Sequence, residues 1–237
     1  MTIFNVQRAK NQKDLAQLAS QIITENIVSV LNKKDRFQLA LSGGSTPFDT
    51  YNLLKDVNLP WSCVDIFLGD ERWVSPSDQS SNALMLKRTL LSGGPGSKAC
   101  FYPIPTIELG SPENSANKFS DLIKEICIGN PPSFDLIVLG LGDDGHTASL
   151  FPGTQALREL DSYATVGRGK GQERVTLTAN VISAASKIIF LVSGASKKFA
   201  LKRLLDPNES FERTPAKLIK PSSEILILTD EEAAELI

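Results

Sequence analysis

A single histidine, His146, stands two residues after Asp144 in the stretch FDLIVLGLGDDGHTASLFPG that runs from Phe134 to Gly153. Imidazole is the side chain best suited to carry a proton at neutral pH, and a carboxylate beside it can fix its tautomer and raise its basicity. A lone histidine can equally be a hydrogen-bonded core or capping residue, so its surroundings decide. Leu136, Ile137, Val138 and Leu139 form a continuous apolar run, the pattern of a strand buried on both faces of a parallel sheet. Residues that follow such a strand lie beyond its carboxyl end, where open α/β sheets bind ligands. The position therefore predicts Asp144 and His146 at a crevice, as an acid/base pair.

Other polar groups gather at comparable places. The run Phe37 to Leu41 leads directly into Ser42, Gly43, Gly44, Ser45, Thr46 and Pro47, and a helical pattern follows. Glycines let backbone amides approach an anion, and Ser45 or Thr46 can cap the helix while offering a hydroxyl to a phosphate oxygen. No Gly-Lys-Ser/Thr follows, so this is not a Walker loop. A plain glycine turn with a hydroxyl cap accounts for the same residues. Val64 to Leu68 ends in Asp70, Glu71 and Arg72, which read either as site residues or as a surface turn with an internal ion pair of little energetic worth. Ile188 to Val192 ends in SGASK, contributing Lys197, and Ile225 to Leu228 ends in Thr229 and Asp230.

The elements that must position these groups alternate between strand and helix. Leu15, Leu18, Ala19, Ile22, Ile23, Ile27 and Val30 predict an amphipathic helix over residues 13–31. A Ser-capped helix is expected near 80–91, with Asn82 in its first turn, and another over 112–128 with proline in its first turn. Phe101 to Pro105 is too rich in proline for a central strand. Residues 154–173 read as irregular, with a basic loop at Arg168 to Gly171 that could close over a ligand. Arg174 to Ala179 reads as a strand, residues 183–186 as a helical turn and the acidic C-terminus as a short helix. The expected fold is α/β, one domain over 1–237, with a mostly parallel sheet and helices on both faces. Right-handed crossovers put the five strand ends on one edge, which describes a phosphate site beside an acid/base site.

Composition sets the outer bounds. The 237 residues carry a formal net charge of −2, which provides no basic face for nucleic acid, so any anion site must be local. The three cysteines lack zinc or redox spacing, and no stretch approaches the roughly 20 apolar residues of a membrane span. A cytoplasmic enzyme or binding protein is expected. Gly140, Gly142 and Gly145 match G-x-G-x-x-G, but two aspartates occupy the pyrophosphate position and Pro152 cuts short any following helix, which argues against a dinucleotide.

Taken together, LSGGSTP at 41–47, FLGDERWV at 67–74, SNALMLKRTLL at 81–91, LGLGDDGHTASLFPG at 139–153, RVTLT at 174–178 and SGASKK at 193–198 resemble the glucosamine-6-phosphate isomerase/6-phosphogluconolactonase family, in the family's order and across most of the chain. The resemblance implies a Rossmann-like fold, a phosphosugar lactone as substrate in the pentose phosphate pathway, and neither metal nor nucleotide cofactor. It points to Asp144 and His146 as the catalytic pair. Gly43, Gly44, Ser45 and Thr46 would meet the phosphate with Lys197 and either Arg72 or Arg174, and Asp70 would hold sugar hydroxyls. A monomer is favoured. Deaminases of the same family carry a glutamate just after the Gly-His loop. Ala148 to Gly153 contains no carboxylate, which favours lactone hydrolysis, while a sugar-phosphate-binding regulator would keep the glycine turns without needing the acid/base pair.

Overall fold

The computed structural model describes residues 2–237. Along the chain it contains β1 (Phe4–Ala9), α1 (Gln12–Leu31), β2 (Phe37–Leu41), α2 (Ser45–Leu54), β3 (Val64–Leu68), β4 (Asp70–Arg72), α3 (Asn82–Arg88) and β5 (Cys100–Tyr102). There follow α4 (Pro112–Ile126), β6 (Leu136–Gly140), β7 (Ala164–Gly169), β8 (Gln172–Leu177), α5 (Ala179–Ser183), β9 (Ile188–Val192), α6 (Lys198–Leu205) and β10 (Ile225–Asp230).

Seven strands form one parallel sheet in the order β1-β10-β9-β6-β2-β3-β5. Every residue of β2, β3, β9 and β10 is buried, which requires cover on both faces of the sheet. The apolar residues of these strands pack with Leu15, Ile23 and Ile27 of α1 and with Phe119 and Ile123 of α4 in a continuous core. Side-chain caps fix the helix starts. Asn11 accepts the Asp14 N–H at 2.9 Å ahead of α1, and Ser111 accepts the Asn114 N–H at 3.1 Å ahead of α4, where Pro112 needs no partner for its nitrogen.

The structure differs from the sequence reading in four places. Residues 4–9, not read as a strand, add to the edge of the sheet beside β10; their alternating half-exposure hides the apolar signal. Part of the stretch 154–173 is ordered, because β7 pairs antiparallel with β8. The acidic C-terminus forms turns rather than a helix, and the helical turn expected at 183–186 is α5, four residues earlier. Phe101 and Tyr102 do lie in a strand, but a three-residue one at the sheet edge, as proline allows.

The second sheet, β4-β8-β7, is antiparallel and depends on a change of partner at Gly69. The Gly69 N–H bonds to Leu41 O within the large sheet, while its carbonyl accepts the Leu177 N–H of β8, both at 2.9 Å. The chain thus leaves one sheet and enters the other within a residue. Alternation along β4 sends Asp70 and Arg72 to one face and Glu71 to the other. Glu71 is buried and accepts hydrogen bonds from the N–H groups of Arg72, Asn82 and Ala83 and from the Ser81 hydroxyl. Burial raises its pKa against the lowering effect of those four donors. One carboxylate therefore ties the start of α3 to β4. Glu71→Ala leaves those donors unmet and should cost about 3 kcal/mol or more in unfolding free energy, measurable as a lower urea midpoint at unchanged m-value.

Candidate active site

The carboxyl ends of β2, β6 and β9 and the start of β4 enclose a cavity of about 270 Å³. Its wall contains Ser42 to Pro47 after β2, Asp70 and Arg72 of β4, Asn82 of α3, Gly140 to Gly142 after β6, and His146 and Ala148. Lys170 and Arg174 of the β7–β8 hairpin and Leu191, Ser193 and Lys197 around the end of β9 complete it.

The loop after β6 sets Asp144 against His146. His146 Nδ1 lies 2.5 Å from Asp144 Oδ1, and the His146 backbone N–H donates to the same oxygen at 3.1 Å. With Nδ1–H held by a carboxylate, Nε2 carries the lone pair, so the remaining nitrogen is the one able to accept a proton. Partial burial works to raise the Asp144 pKa, but the hydrogen bonds from the ring and backbone of His146 outweigh it and hold the carboxyl well below the usual carboxylate range. Its contribution to stability is therefore present above its ordinary pKa of 3.8 and is lost as the pH falls through the depressed value. The Phe151 ring covers the imidazole at a centroid distance of 4.4 Å.

Glycine is needed at position 142 for space. A Cβ there would sit 2.0 Å from His146 Nδ1 and 2.6 Å from Asp144 Oδ1. The Gly142 N–H also bonds to His146 O at 2.8 Å, and Arg203 of α6 donates to Asp143 O at 3.2 Å, so the loop is clamped from both sides. The chain then turns back through the Thr147–Leu150 bridge instead of opening a helix, unlike a dinucleotide-binding glycine loop.

At the β2 end, the cap of α2 differs from the sequence expectation. Neither Ser45 nor Thr46 caps the helix: Gly44 occupies the cap position, and no side chain bonds the first-turn amides. Those N–H groups and the partial positive charge of a ten-residue helix are left for an anion. Gly43 is required for close approach, since a Cβ would meet Asn82 Oδ1 at 1.8 Å. Asn82 accepts from Arg72 Nη1 at 2.8 Å and donates to the Asp70 carbonyl at 2.8 Å, locking the turn to β4.

Arg72 and Arg174 face each other across the β4–β8 ladder. Arg174 stands over the Phe151 ring at 5.2 Å with Asp70 Oδ2 3.7 Å away. Burial lowers its pKa, as does the charge of Arg72, while Asp70 raises it. The Nε of each arginine and the Ser42 hydroxyl are buried without a hydrogen-bond partner. Such unmet donors cost about 1–3 kcal/mol apiece in a protein interior, so their retention along one cavity points to a ligand. Asp70 accepts from Ser149 Oγ and, at 3.3 Å, from Asn82 Nδ2. It is buried, and much of its capacity is already used. Asp230 accepts from Ser193 Oγ at 2.5 Å and from the Gly194 N–H, shaping the turn that carries Lys197.

Of the residues singled out in the sequence, Gly43, Gly44, Ser45, Thr46, Asp70, Arg72, His146, Arg174 and Lys197 line this cavity and Asp144 holds His146, whereas Glu71, Thr229 and Asp230 do not line it. Asn82, Ser149, Phe151 and Lys170 were not singled out as site residues. Asn82 stood in a helix first turn, the usual place for a polar side chain. Lys170 arrives through an antiparallel pairing with no strong periodic signal.

The family described as glucosamine-6-phosphate isomerases/6-phosphogluconolactonase matches residues 10–228. The chain belongs to that family. A 6-phosphogluconolactonase of Synechocystis is 39% identical over 228 residues, covering 95% of each chain. A structure of 6-phosphogluconolactonase from Trypanosoma brucei superposes with a TM-score of 0.88 at 28% identity, covering 99% of each chain. A monomeric glucosamine-6-phosphate deaminase shares the fold at a TM-score of 0.81 and 22% identity, covering 98% of this chain and all of that one. Proteins named for lactone hydrolysis and for deamination thus share this fold, and the choice between the two activities rests on the site.

Because His146 is the only histidine, its ring proton gives an isolated signal. Gly142→Ala should displace the ring and abolish the downfield Nδ1–H resonance in a proton NMR spectrum, with far-UV circular dichroism unchanged.

Proposed function

We propose that the chain hydrolyses 6-phospho-D-glucono-1,5-lactone to 6-phosphogluconate, the lactone-opening step of the oxidative pentose phosphate pathway. His146 is the general base and Asp144 orients it. The observation that carries this reading is the pairing of Asp144 with His146 Nδ1, which leaves Nε2 as the proton acceptor in the same cavity as an uncapped helix start and several cations. Family membership and the similarity to proteins named 6-phosphogluconolactonase support it.

Nε2 removes a proton from water as the water oxygen bonds to C1 and the carbonyl π pair moves onto the carbonyl oxygen. Collapse of that tetrahedral species breaks the bond between C1 and the ring oxygen, which takes the proton back from the imidazolium. The products are a free hydroxyl and a carboxylic acid that ionises. Asp144 keeps its negative charge throughout and stabilises the imidazolium, as the orienting carboxylate does in a catalytic triad.

The phosphate lies on the amides at Gly43, Gly44 and Ser45 with the Ser45 and Thr46 hydroxyls, joined by Lys197 and Arg72. Arg72 is favoured over Arg174 for this contact because its partner Asn82 packs on Gly43, whereas Arg174 is engaged by Asp70 and Phe151. Asp70 holds Asn82 through Oδ1 and Ser149 and Arg174 through Oδ2, and a sugar hydroxyl would donate to the second lone pair of Oδ1. Among the described residues, no cluster of three or more histidine, cysteine, aspartate or glutamate side chains has the geometry of a metal site, and no helix is long and apolar enough to cross a membrane.

Freshly prepared lactone, with acid release corrected for spontaneous opening, provides the test. His146→Ala and Asp144→Asn should each lower kcat by roughly 100- to 10,000-fold, with smaller changes in KM. Wild-type turnover no faster than the uncatalysed rate contradicts the reading. Ammonia release from glucosamine 6-phosphate would select the deaminase, and saturable phosphosugar binding without turnover a regulator.

A further inference from the structure

Lys170 sits at the tip of the β7–β8 hairpin in the two-residue turn Lys170–Gly171. Both residues have positive φ, 52° and 76°, the pattern of a tight turn whose first position ordinarily takes asparagine, aspartate or glycine. A lysine there is conformationally disfavoured. Backbone conformations of this kind recur where function demands a particular side chain.

The side chain lines the cavity, and its ammonium donates to Asp143 Oδ1 at 2.8 Å, one residue before Asp144. Both partners are about half exposed, at 47% and 58%. An exposed ion pair of this kind contributes little to stability, so a substrate oxygen can replace Asp143 without a large penalty. Of the other cavity cations, Arg72 and Lys197 are assigned above to the phosphate. Arg72 donates to Ser80 O and Asn82, and Arg174 lies between Asp70 and Phe151. Lys170 is the cavity cation hydrogen-bonded to the catalytic loop. Its charge also acts on Asp144, helping to hold that carboxyl ionised.

We propose that Lys170 is a further catalytic residue, whose ammonium leaves Asp143 to donate a hydrogen bond to the lactone carbonyl oxygen as that oxygen becomes negative. The inference rests on the lactonase reading above and supplies the oxyanion partner that His146 and Asp144 cannot provide. Lys170 keeps its proton throughout. The π electrons that move onto the carbonyl oxygen when water bonds to C1 are stabilised by the ammonium. They return to re-form the C=O bond as the bond from C1 to the ring oxygen breaks. The same ammonium then faces the product carboxylate until release.

Steady-state kinetics on the lactone and thermal melting should be measured for wild type, Lys170→Met, Lys170→Asn and His146→Ala. Charge aimed at a developing oxyanion acts in the transition state, so Lys170→Met should lower kcat by roughly 100-fold with KM changed less than about threefold. Lys170→Asn suits the left-handed turn, so it should melt at or above the wild-type temperature and yet share the low kcat. A Lys170→Met kcat within about threefold of wild type, or a loss carried by KM alone, overturns the proposal. So does a Lys170→Asn protein that loses activity and thermal stability together, because that marks a structural role. If wild type itself fails to exceed the spontaneous rate, the lactonase reading falls and this inference with it. If wild type is active, His146→Ala is inactive and Lys170→Met is unimpaired, this inference alone falls.

Discussion

The hydrogen bond between Asp144 Oδ1 and His146 Nδ1 is the contact on which the site depends. It assigns the proton of the imidazole to one nitrogen and the lone pair to the other. Much of the surrounding structure serves to keep that assignment. Gly142 leaves the space in which the ring and the carboxylate meet, Phe151 covers the ring, and Arg203 holds the loop carbonyl next door. A buried parallel strand, β6, delivers the loop to the carboxyl edge of the sheet, so a local turn becomes a fixed geometry.

A second constraint joins that pair to the β2 end of the cavity, where the phosphate is proposed to lie. At Gly69 the chain exchanges the large sheet for the small one, and this change of partner brings Arg72, Asp70 and Arg174 to the same wall. Glu71, on the opposite face of β4, locks the start of α3 and with it Asn82, which packs on Gly43. The β2 turn proposed to hold the phosphate is thus braced by a buried carboxylate that does not line the cavity. The separation of roles is physical: backbone amides and cations suit a fixed dianion, while a carboxylate and imidazole suit a travelling proton.

The parts legible in the sequence were those with strong periodicity or continuous apolar runs. The long helix α1, the strands β2, β3, β6 and β9, and the turns that follow them lie where their patterns indicate. Of the small sheet only β8 was legible, as the strand read over 174–179, and its pairing with β4 and β7 was not. Three charged residues, Asp70 to Arg72, make a strand only because β8 pairs with them from a hundred residues away, and β7 is polar and partly exposed. Lys170 was legible only as part of the basic 168–171 loop, because its place on the cavity wall depends on the same pairing. The helix cap failed differently: Ser45 and Thr46 have capping side chains, but Gly44 takes the cap position, and both hydroxyls stand on the cavity wall. There, local propensity gave way to the geometry of the site.

The central claim is one of orientation, with the phosphate at the β2 turn and the carbon that is attacked beside His146. A crystal structure of the chain with 6-phosphogluconate bound measures this directly. The account predicts phosphate oxygens on the amides of Gly43 to Ser45, with Lys197 and Arg72 in contact, and the C1 carboxylate within hydrogen-bond reach of His146 Nε2. A product bound the other way round, with its phosphate at His146 and its carboxylate on the β2 turn, would contradict it.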